Sequence, residues 1–290
     1  MSQFGCHGSV WSGSFDTESF RRAVRQTAEA GYDLIEIPLL DPYSFDAAQG
    51  RAVIDEYGIG INASLGLGDA TDISSEDPAA IAAGENLLNR AVDVLAELGA
   101  DWLVGVVYGA LKKHMAPATA QGRRNGMEVM RRVADRAQSH GIRVGLEVVN
   151  RYETNIMNTA REAIAYVTEL DHPNAYIHLD TYHMNIEESD MMNPFLDAGD
   201  RLGYVHIGES HRGYLGSGSV DFDTAFRALN RIGYDGPIVF ESFSSAVVDP
   251  VLSNMLGVWR NLWDDNVDLA RHANQYMRGA VRAVETIAMH

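Results

Sequence analysis

The sequence predicts a (β/α)₈ barrel, in which parallel strands close into a ring that helices cover. Three observations support this fold class. Amphipathic segments repeatedly end at a glycine, and an apolar, β-rich run follows within a few residues. Eight such strand–helix units fit into 290 residues without a linker or a low-complexity segment, so we expect a single domain over residues 1–290. The apolar runs are short and mostly do not alternate with polar residues, which is typical of a parallel sheet covered on both faces.

The predicted strands are separated by helical segments. They lie near residues 3–8, 33–38, 59–64, 102–107, 142–148, 175–180, 203–208 and 237–241. Glycine adopts the left-handed conformation that closes a helix, and the junctions between helix and strand occur at Gly31, Gly58, Gly99, Gly141 and Gly233.

The helix before Gly99 shows the pattern in detail. Asp77 is the expected N-cap, and Pro78 is the expected first helical residue. One apolar stripe at helical spacing then contains Leu87, Leu88, Ala91, Val92, Leu95 and Leu98. Beyond the eighth unit, residues from about 264 to 290 predict an amphipathic C-terminal helix, whose apolar face packs on the barrel or on another subunit.

Composition excludes several classes of function. The net charge is −17, with 23 basic and 40 acidic residues, which disfavours a nucleic-acid partner and fits a neutral small-molecule substrate. No apolar run approaches the roughly 20 residues that cross a bilayer, so we expect no membrane partner. The first residues lack a signal-peptide pattern, and Cys6 is the single cysteine. We therefore expect a cytoplasmic protein.

Four consecutive predicted strands end in a residue that can bind a metal ion. These residues are Glu147, Asp180, His206 and Glu241. The carboxyl ends of barrel strands meet at one face, where catalytic groups lie. Three carboxylates crowded there would repel one another, and a divalent cation is the simplest compensation. Three carboxylates with one imidazole suit Mn²⁺, Mg²⁺ or Co²⁺.

Longer motifs carry a family resemblance that extends over nearly the whole chain. They are LEVVNRYE (146–153), HLDTYHMNIEE (178–188), YVHIGESHRG (204–213) and VFESF (239–243). These segments resemble the ketose 3-epimerase family, which includes the D-tagatose, D-allulose (D-psicose) and L-ribulose 3-epimerases. The resemblance implies a xylose isomerase-like (β/α)₈ barrel whose four strand-end residues bind a divalent metal, with Mn²⁺ expected first and Co²⁺ or Mg²⁺ as alternatives.

The resemblance also implies residue roles. Glu147 and Glu241 are the implied catalytic pair, while Glu153, His183 and Arg212 hold the sugar near O1 to O3. Family members are homodimers or homotetramers, so the same assembly is expected here. The first and third strands depart from some relatives, because His7 stands where several have an aromatic residue and Ser64 replaces a cysteine of the D-tagatose enzyme. His7 is either a hydrogen-bond donor in the pocket or a packed residue; we include it among the substrate-binding candidates.

The mechanistic hypothesis is proton transfer at C3 of a free ketose through a cis-enediolate, with one glutamate on each face of the carbon. The reaction would interconvert D-allulose and D-fructose, D-tagatose and D-sorbose, or L-ribulose and L-xylulose. The main alternative is an aldose–ketose isomerase on the same barrel. A DNA-repair endonuclease shares this fold, but Ser64 and Tyr108 stand where its additional histidine ligands would be. A non-catalytic sugar-binding barrel would not need the second glutamate.

Overall fold

The computed structural model describes residues 2–289 and confirms the predicted barrel. Within these residues, eight parallel strands close into a ring in which each strand pairs with its neighbours in sequence and β8 pairs with β1. The strands are β1 (Phe4–His7), β2 (Leu34–Pro38), β3 (Gly60–Ser64), β4 (Trp102–Val104), β5 (Arg143–Val148), β6 (Ala175–Asp180), β7 (Leu202–Ile207) and β8 (Ile238–Phe240).

Helices follow every strand and form the outer layer. They are α1 (Thr17–Glu29), α2 (Ala47–Tyr57), α3 (Pro78–Leu98), α4 (Ala120–Ser139), α5 (Ala160–Leu170), α6 (Thr181–Glu187), α7 (Asn193–Ala198), α8 (Phe222–Arg231), α9 (Pro250–Leu256) and α10 (Asn266–Glu285). No helix of residues 2–289 is both long enough and apolar enough to cross a membrane.

The capping chemistry agrees with the sequence pattern. Helix α3 begins at Pro78, and the Asp77 side chain accepts a hydrogen bond from the Ala79 N–H. Gly99 closes the same helix in the left-handed conformation, with a φ of 71°. Asp77 and Gly99 therefore cap the two ends of this helix, as the sequence pattern predicts.

Strand β4 shows the largest difference from the predicted strand ends. Strand β4 ends at Val104, whereas the apolar run continues to Val107. Gly105 has a φ of 108°, a conformation that extended strand residues do not adopt. The chain therefore leaves the sheet at Gly105 and turns into the wall of the barrel mouth.

Two apolar layers support the barrel. The larger lies between the strands and the helices. A smaller cluster fills the lower interior of the barrel and contains Leu34, Trp102, Val104, Tyr204 and Val239. Because side chains pack this interior, the barrel is closed below and opens only at the face where the strands end.

The C-terminal amphipathic helix is α10, and it packs on the barrel. It contacts α8, β1 and β8, and its buried residues include Leu269 and Met277. The Tyr32 hydroxyl donates a hydrogen bond to the carbonyl of Ala270 at 2.8 Å. Helix α10 therefore takes the position of the eighth helix of the outer ring, while the short α9 lies at the mouth.

Candidate active site

The four strand-end residues meet at the open face of the barrel. Glu147 lies near the end of β5, Asp180 ends β6, His206 lies near the end of β7, and Glu241 directly follows β8. One donor atom of each residue lies within 4.8 Å of the other three. At this spacing a single bound cation could contact all four donor atoms.

Burial divides these four residues into two pairs. Asp180 and His206 are fully buried, whereas Glu147 and Glu241 retain 8 % and 6 % exposure and line a pocket at the mouth. The pocket and the solvent-filled space at its mouth together occupy about 620 Å³. A small molecule in the pocket would therefore contact the two glutamates and lie above the other two residues.

Burial and charge move the pKa values of the carboxyl groups apart. Burial raises the pKa of Glu147 to about 8, against the lowering effect of His206. Burial also raises the pKa of Asp180 to about 6, and Arg212 opposes it. Burial acts in the same direction on Glu241, but His206 and Arg212 hold the pKa of that carboxyl well below its ordinary value. Crowded carboxyl groups of this kind need additional positive charge to ionise together.

The side-chain donors fit a divalent cation. The His206 Nδ1 atom is buried and has no hydrogen-bond partner among residues 2–289. It lies 3.4 Å from Glu241 Oε1 and 3.6 Å from Glu147 Oε1. Burial opposes protonation of His206, but Glu36 and Glu241 raise its pKa well above the ordinary value. In the metal-free protein a proton on Nδ1 therefore faces these carboxylates, and a divalent cation bound there would replace that proton. The carboxylate-rich donor set favours Mg²⁺, Mn²⁺ or a similar ion.

Arg212 supplies a fixed positive charge next to this cluster. Its Nη1 atom lies 2.7 Å from Glu241 Oε2 and 3.0 Å from Asp180 Oδ2. The guanidinium stacks on the Tyr182 ring at 3.9 Å from the ring centroid. Ion pairs and stacking together restrict this side chain to one orientation at the pocket surface.

His183 and Glu153 line the same pocket. The His183 Nδ1 atom accepts the Asn150 backbone N–H at 3.1 Å, and burial, followed by Arg212, lowers the pKa of His183 well below its ordinary value. The ring is therefore neutral and carries its proton on Nε2, which lies 3.8 Å from Glu147 Oε1. Glu153 accepts a hydrogen bond from Asn150 Nδ2 at 2.8 Å, and burial raises the pKa of Glu153 to about 7.

His7 is both packed and part of the pocket lining. Its Nδ1 accepts the Ser9 backbone N–H at 3.3 Å, and burial lowers its pKa, so the neutral ring carries its proton on Nε2. That nitrogen lies 3.1 Å from the Ser64 hydroxyl oxygen. The two positions that distinguish this chain from some relatives thus contact each other on one wall of the pocket.

The remaining pocket wall is largely apolar. Its lining includes Pro38, Leu40, Leu65, Val106, Leu111, Val149 and Phe243. Helix α9 adds Leu252, Met255 and Leu256 at the rim. An apolar wall facing a few oriented polar groups is typical of a small-molecule site.

Sequence reasoning missed two buried polar residues beneath the pocket. Glu36 lies in β2 and accepts a hydrogen bond from His206 Nε2 at 2.8 Å. His178 lies in β6, and its ring packs edge-on against that of His206 at 4.2 Å between centroids. Each could have been noticed in the sequence, because each is an ionisable residue between two apolar neighbours within a strand. The prediction considered only strand ends and passed over both.

Comparisons with known proteins agree with this geometry. A family model described as xylose isomerase-like TIM barrel matches residues 24–278. A ketose 3-epimerase of Arthrobacter globiformis is 63 % identical over 288 residues, which cover 99 % of this chain and 100 % of the relative. An L-ribulose 3-epimerase of Methylomonas sp. (strain DH-1) is 55 % identical over 276 residues, with 95 % and 96 % covered.

A solved structure gives the same result in three dimensions. The D-allulose 3-epimerase of Methylomonas sp. in complex with D-allulose superposes with a TM-score of 0.95 at 54 % identity, covering 96 % of this chain and 97 % of that one. The resemblance first drawn from four sequence motifs is thereby confirmed over the full barrel. The chain belongs to the xylose isomerase-like TIM barrel family and, within it, to the ketose 3-epimerases, so it is an isomerase.

Proposed function

We propose that this enzyme inverts C3 of a free ketose, with Glu147 and Glu241 as the two proton-transferring groups. The observation that carries the proposal is the division of the four strand-end residues by burial. Glu147 and Glu241 line the pocket, whereas Asp180 and His206 are fully buried beneath it. Inversion at carbon requires one acid–base group on each face, and β5 and β8 present their glutamates from two positions on the ring separated by β6 and β7.

All four residues would hold a divalent cation, and we propose Mn²⁺ first, with Co²⁺ or Mg²⁺ as alternatives. When bound, the cation supplies Lewis-acid polarisation of the substrate carbonyl and keeps the two glutamates ionised. Asp180 and His206 serve only to anchor it. Glu147 and Glu241 combine anchoring with proton transfer.

The chain's own residues perform the remaining steps. One glutamate removes the C3 proton of the ketose, and the other delivers a proton to the opposite face of the resulting enediolate. His183 donates its Nε2–H and Arg212 its guanidinium N–H groups to sugar oxygens near O1 to O3, and Glu153 accepts from a hydroxyl there. His7 with Ser64 contacts the sugar from the opposite wall. The apolar residues around them exclude bulk water.

The substrate pairs that we propose are D-allulose with D-fructose, D-tagatose with D-sorbose, and L-ribulose with L-xylulose. The relatives named as L-ribulose and D-allulose 3-epimerases support the pairs that contain those two sugars. The pocket is a neutral-substrate site, because its fixed cation, Arg212, is already paired with Asp180 and Glu241. We further propose a homodimer or homotetramer.

The test is a panel of these ketoses, assayed with chelator-treated protein to which Mn²⁺, Co²⁺ or Mg²⁺ is restored in turn. Chromatography of the products should show the C3 epimer, with activity dependent on the added metal. Formation of an aldose instead would identify an aldose–ketose isomerase. Turnover of no ketose with any of the metals would refute the proposal.

A further inference from the structure

Glu36 is a buried carboxylate that the proposed function does not use. It lies in the middle of β2, is fully buried, and pairs in register with His7 of β1. Placing a carboxylate in the interior of a barrel is costly unless partners compensate for the lost hydration. The partners that surround it therefore indicate what it does.

Both oxygens of Glu36 face histidines. Oε2 accepts the hydrogen bond from His206 Nε2 at 2.8 Å. Oε1 lies 3.5 Å from His7 Nε2 and has no hydrogen-bond partner among the described residues. The carboxylate thus spans the distance between one proposed metal ligand and one residue of the pocket wall.

The hydrogen bond from His206 decides which nitrogen of that ring can bind a metal. With Nε2–H directed at Glu36, Nδ1 faces Glu147 and Glu241 and is the ring nitrogen that a cation there could bind. The rings of His178, Tyr204 and His7 lie edge-on to that of His206, which restricts the ring plane but does not select a nitrogen. Selection of the tautomer and orientation comes from the carboxylate.

We infer that Glu36 is a positioning residue that fixes His206 with Nδ1 facing the cation. The inference rests on the metal site of the proposed function. A carboxylate behind a ligating histidine also makes that ligand more basic, and loss of such a partner typically weakens metal affinity about 10–100-fold.

The experiment is a Mn²⁺ titration of chelator-treated protein, in which electron paramagnetic resonance measures free Mn²⁺. Wild type, Glu36→Gln and Ser64→Ala are compared. Glu36→Gln keeps the shape of the side chain but removes its charge, and should weaken Mn²⁺ binding by about 10–100-fold. Ser64→Ala removes the hydroxyl that contacts His7 Nε2 and leaves the hydrogen bond between Glu36 and His206 in place, so this variant should bind Mn²⁺ as wild type does.

A second measurement, by nuclear magnetic resonance, observes the hydrogen bond of the His206 ring directly. In protein labelled with ¹⁵N in the histidine rings and loaded with diamagnetic Mg²⁺, His206 should show a downfield, hydrogen-bonded Nε2–H that disappears or moves upfield in Glu36→Gln. A merely structural contribution of Glu36 would lower the melting temperature without this change.

The outcomes separate the two proposals. If wild type binds no divalent ion, the metal site fails and the role of Glu36 with it. If wild type binds Mn²⁺ and Glu36→Gln binds it equally well, the positioning role is overturned while the proposed function stands. If Glu36→Gln does not fold, Glu36→Asp, which withdraws the carboxylate by one methylene, gives the same comparison.

Discussion

Glu147 and Glu241 occupy similar environments but differ in their partners. Glu241 lies 2.7 Å from the Arg212 guanidinium, whereas the nearest charged partner of Glu147 is His206 at 3.6 Å. This asymmetry agrees with the raised pKa of Glu147, caused first by burial, and the lowered pKa of Glu241, where the neighbouring positive charges outweigh burial. In the metal-free protein Glu147 is therefore the more readily protonated of the pair.

The two-base proposal predicts different losses for inversion and for proton exchange. Glu147→Gln and Glu241→Gln should each reduce epimerisation by at least 10²-fold, because each removes an acid–base group. In D₂O, each variant should still exchange the C3 hydrogen of the one epimer whose proton faces the remaining glutamate. Mass spectrometry of recovered sugar measures this exchange.

Metal content serves as the control for these variants, since both residues are also proposed ligands. Near-wild-type epimerisation by either metal-loaded variant would contradict the two-base proposal. Exchange from both epimers by one variant would contradict it equally, because one group would then serve both faces.

At the residue scale, sequence reasoning identified the four clustered residues but missed the residue behind them. The four could be grouped because the carboxyl ends of parallel strands meet at one face. Glu36 lies earlier in its strand, and its relation to His206 crosses the barrel between β2 and β7. No spacing in the sequence reports a contact between residues 170 positions apart.

At the element scale, the segment between β7 and α8 carries Arg212 and is organised around one buried carboxylate. Glu209 accepts the backbone N–H groups of Ser210, Gly216 and Val220 at 2.8, 2.9 and 3.2 Å. Its own backbone carbonyl accepts the Arg212 backbone N–H at 2.8 Å. Arg212 has a φ of 60°, an uncommon conformation that the surrounding hydrogen bonds stabilise.

This carboxylate predicts a pH-dependent contribution to stability. Burial acts to raise the pKa of Glu209, but the backbone N–H donors lower it below its ordinary value. The stabilisation is therefore present above the unfolded-state value of about 4.3 and is lost as the pH falls through the lower folded-state value. Glu209→Gln should lower the free energy of unfolding by about 2 kcal/mol at pH 7. Urea unfolding below about pH 4.3 should show a smaller difference in this free energy between variant and wild type.

The matched control is Glu56→Gln, which removes an exposed ion pair with Arg21. Exposed pairs contribute little, so this variant should differ slightly from wild type at either pH. A Glu209→Gln penalty that is independent of pH would contradict the role of the charge.

Gly105 predicts a second effect at the element scale. A Cβ atom on Gly105 would lie 2.5 Å from the Leu65 carbonyl oxygen, and the residue has a φ of 108°. Its carbonyl also accepts the Glu147 N–H at 3.1 Å. Gly105→Ala should therefore destabilise the barrel and displace the pocket wall.

Gly141→Ala is the comparison variant, because Gly141 also has a positive φ, 75°, but no atom within 4 Å of the added carbon. Gly141→Ala should lower the free energy of unfolding by about 1 kcal/mol, from backbone strain alone. Gly105→Ala should cost at least twice as much in denaturant unfolding and should also lower turnover. Equal costs for the two variants would show that the close approach to Leu65 is unimportant.

Element positions were predictable to within a few residues because helix ends and buried strands have distinct residue patterns. The exception at β4 has a clear cause. The sequence Trp102-Leu103-Val104-Gly105-Val106-Val107 is apolar throughout, so composition favours one long strand. The backbone conformation of Gly105 ends it earlier, and conformations of this kind are not encoded in hydrophobicity.

At the scale of the whole molecule, the carboxylates of β2, β5 and β6 and Glu241 are concentrated in one small volume. This cluster should make the stability of the protein depend on metal. Restoring Mn²⁺ to chelator-treated protein at 100 times its Kd should add about 2.7 kcal/mol by mass action and raise the melting temperature. Calorimetric scans at increasing Mn²⁺ measure the shift.

Asp180→Asn is the control, because it removes an anchoring ligand that is closed to the pocket. This variant should show little or no Mn²⁺-dependent shift over the same range. A wild-type melting temperature that does not change with Mn²⁺, Co²⁺ or Mg²⁺ would contradict the proposed metal site.

The position of His7 has a consequence for laboratory evolution of sugar preference. The two proposed acid–base groups, Glu147 and Glu241, lie in β5 and directly after β8, whereas Leu40 and Ser64 belong to the β2 and β3 side of the mouth. Libraries randomised at Leu40 and Ser64 should therefore explore new ketoses while leaving the proton chemistry intact. His7 differs, because its Nε2 atom lies 3.5 Å from Glu36, the hydrogen-bond partner of His206. Substitutions of His7 should therefore change the metal affinity as well as the sugar preference.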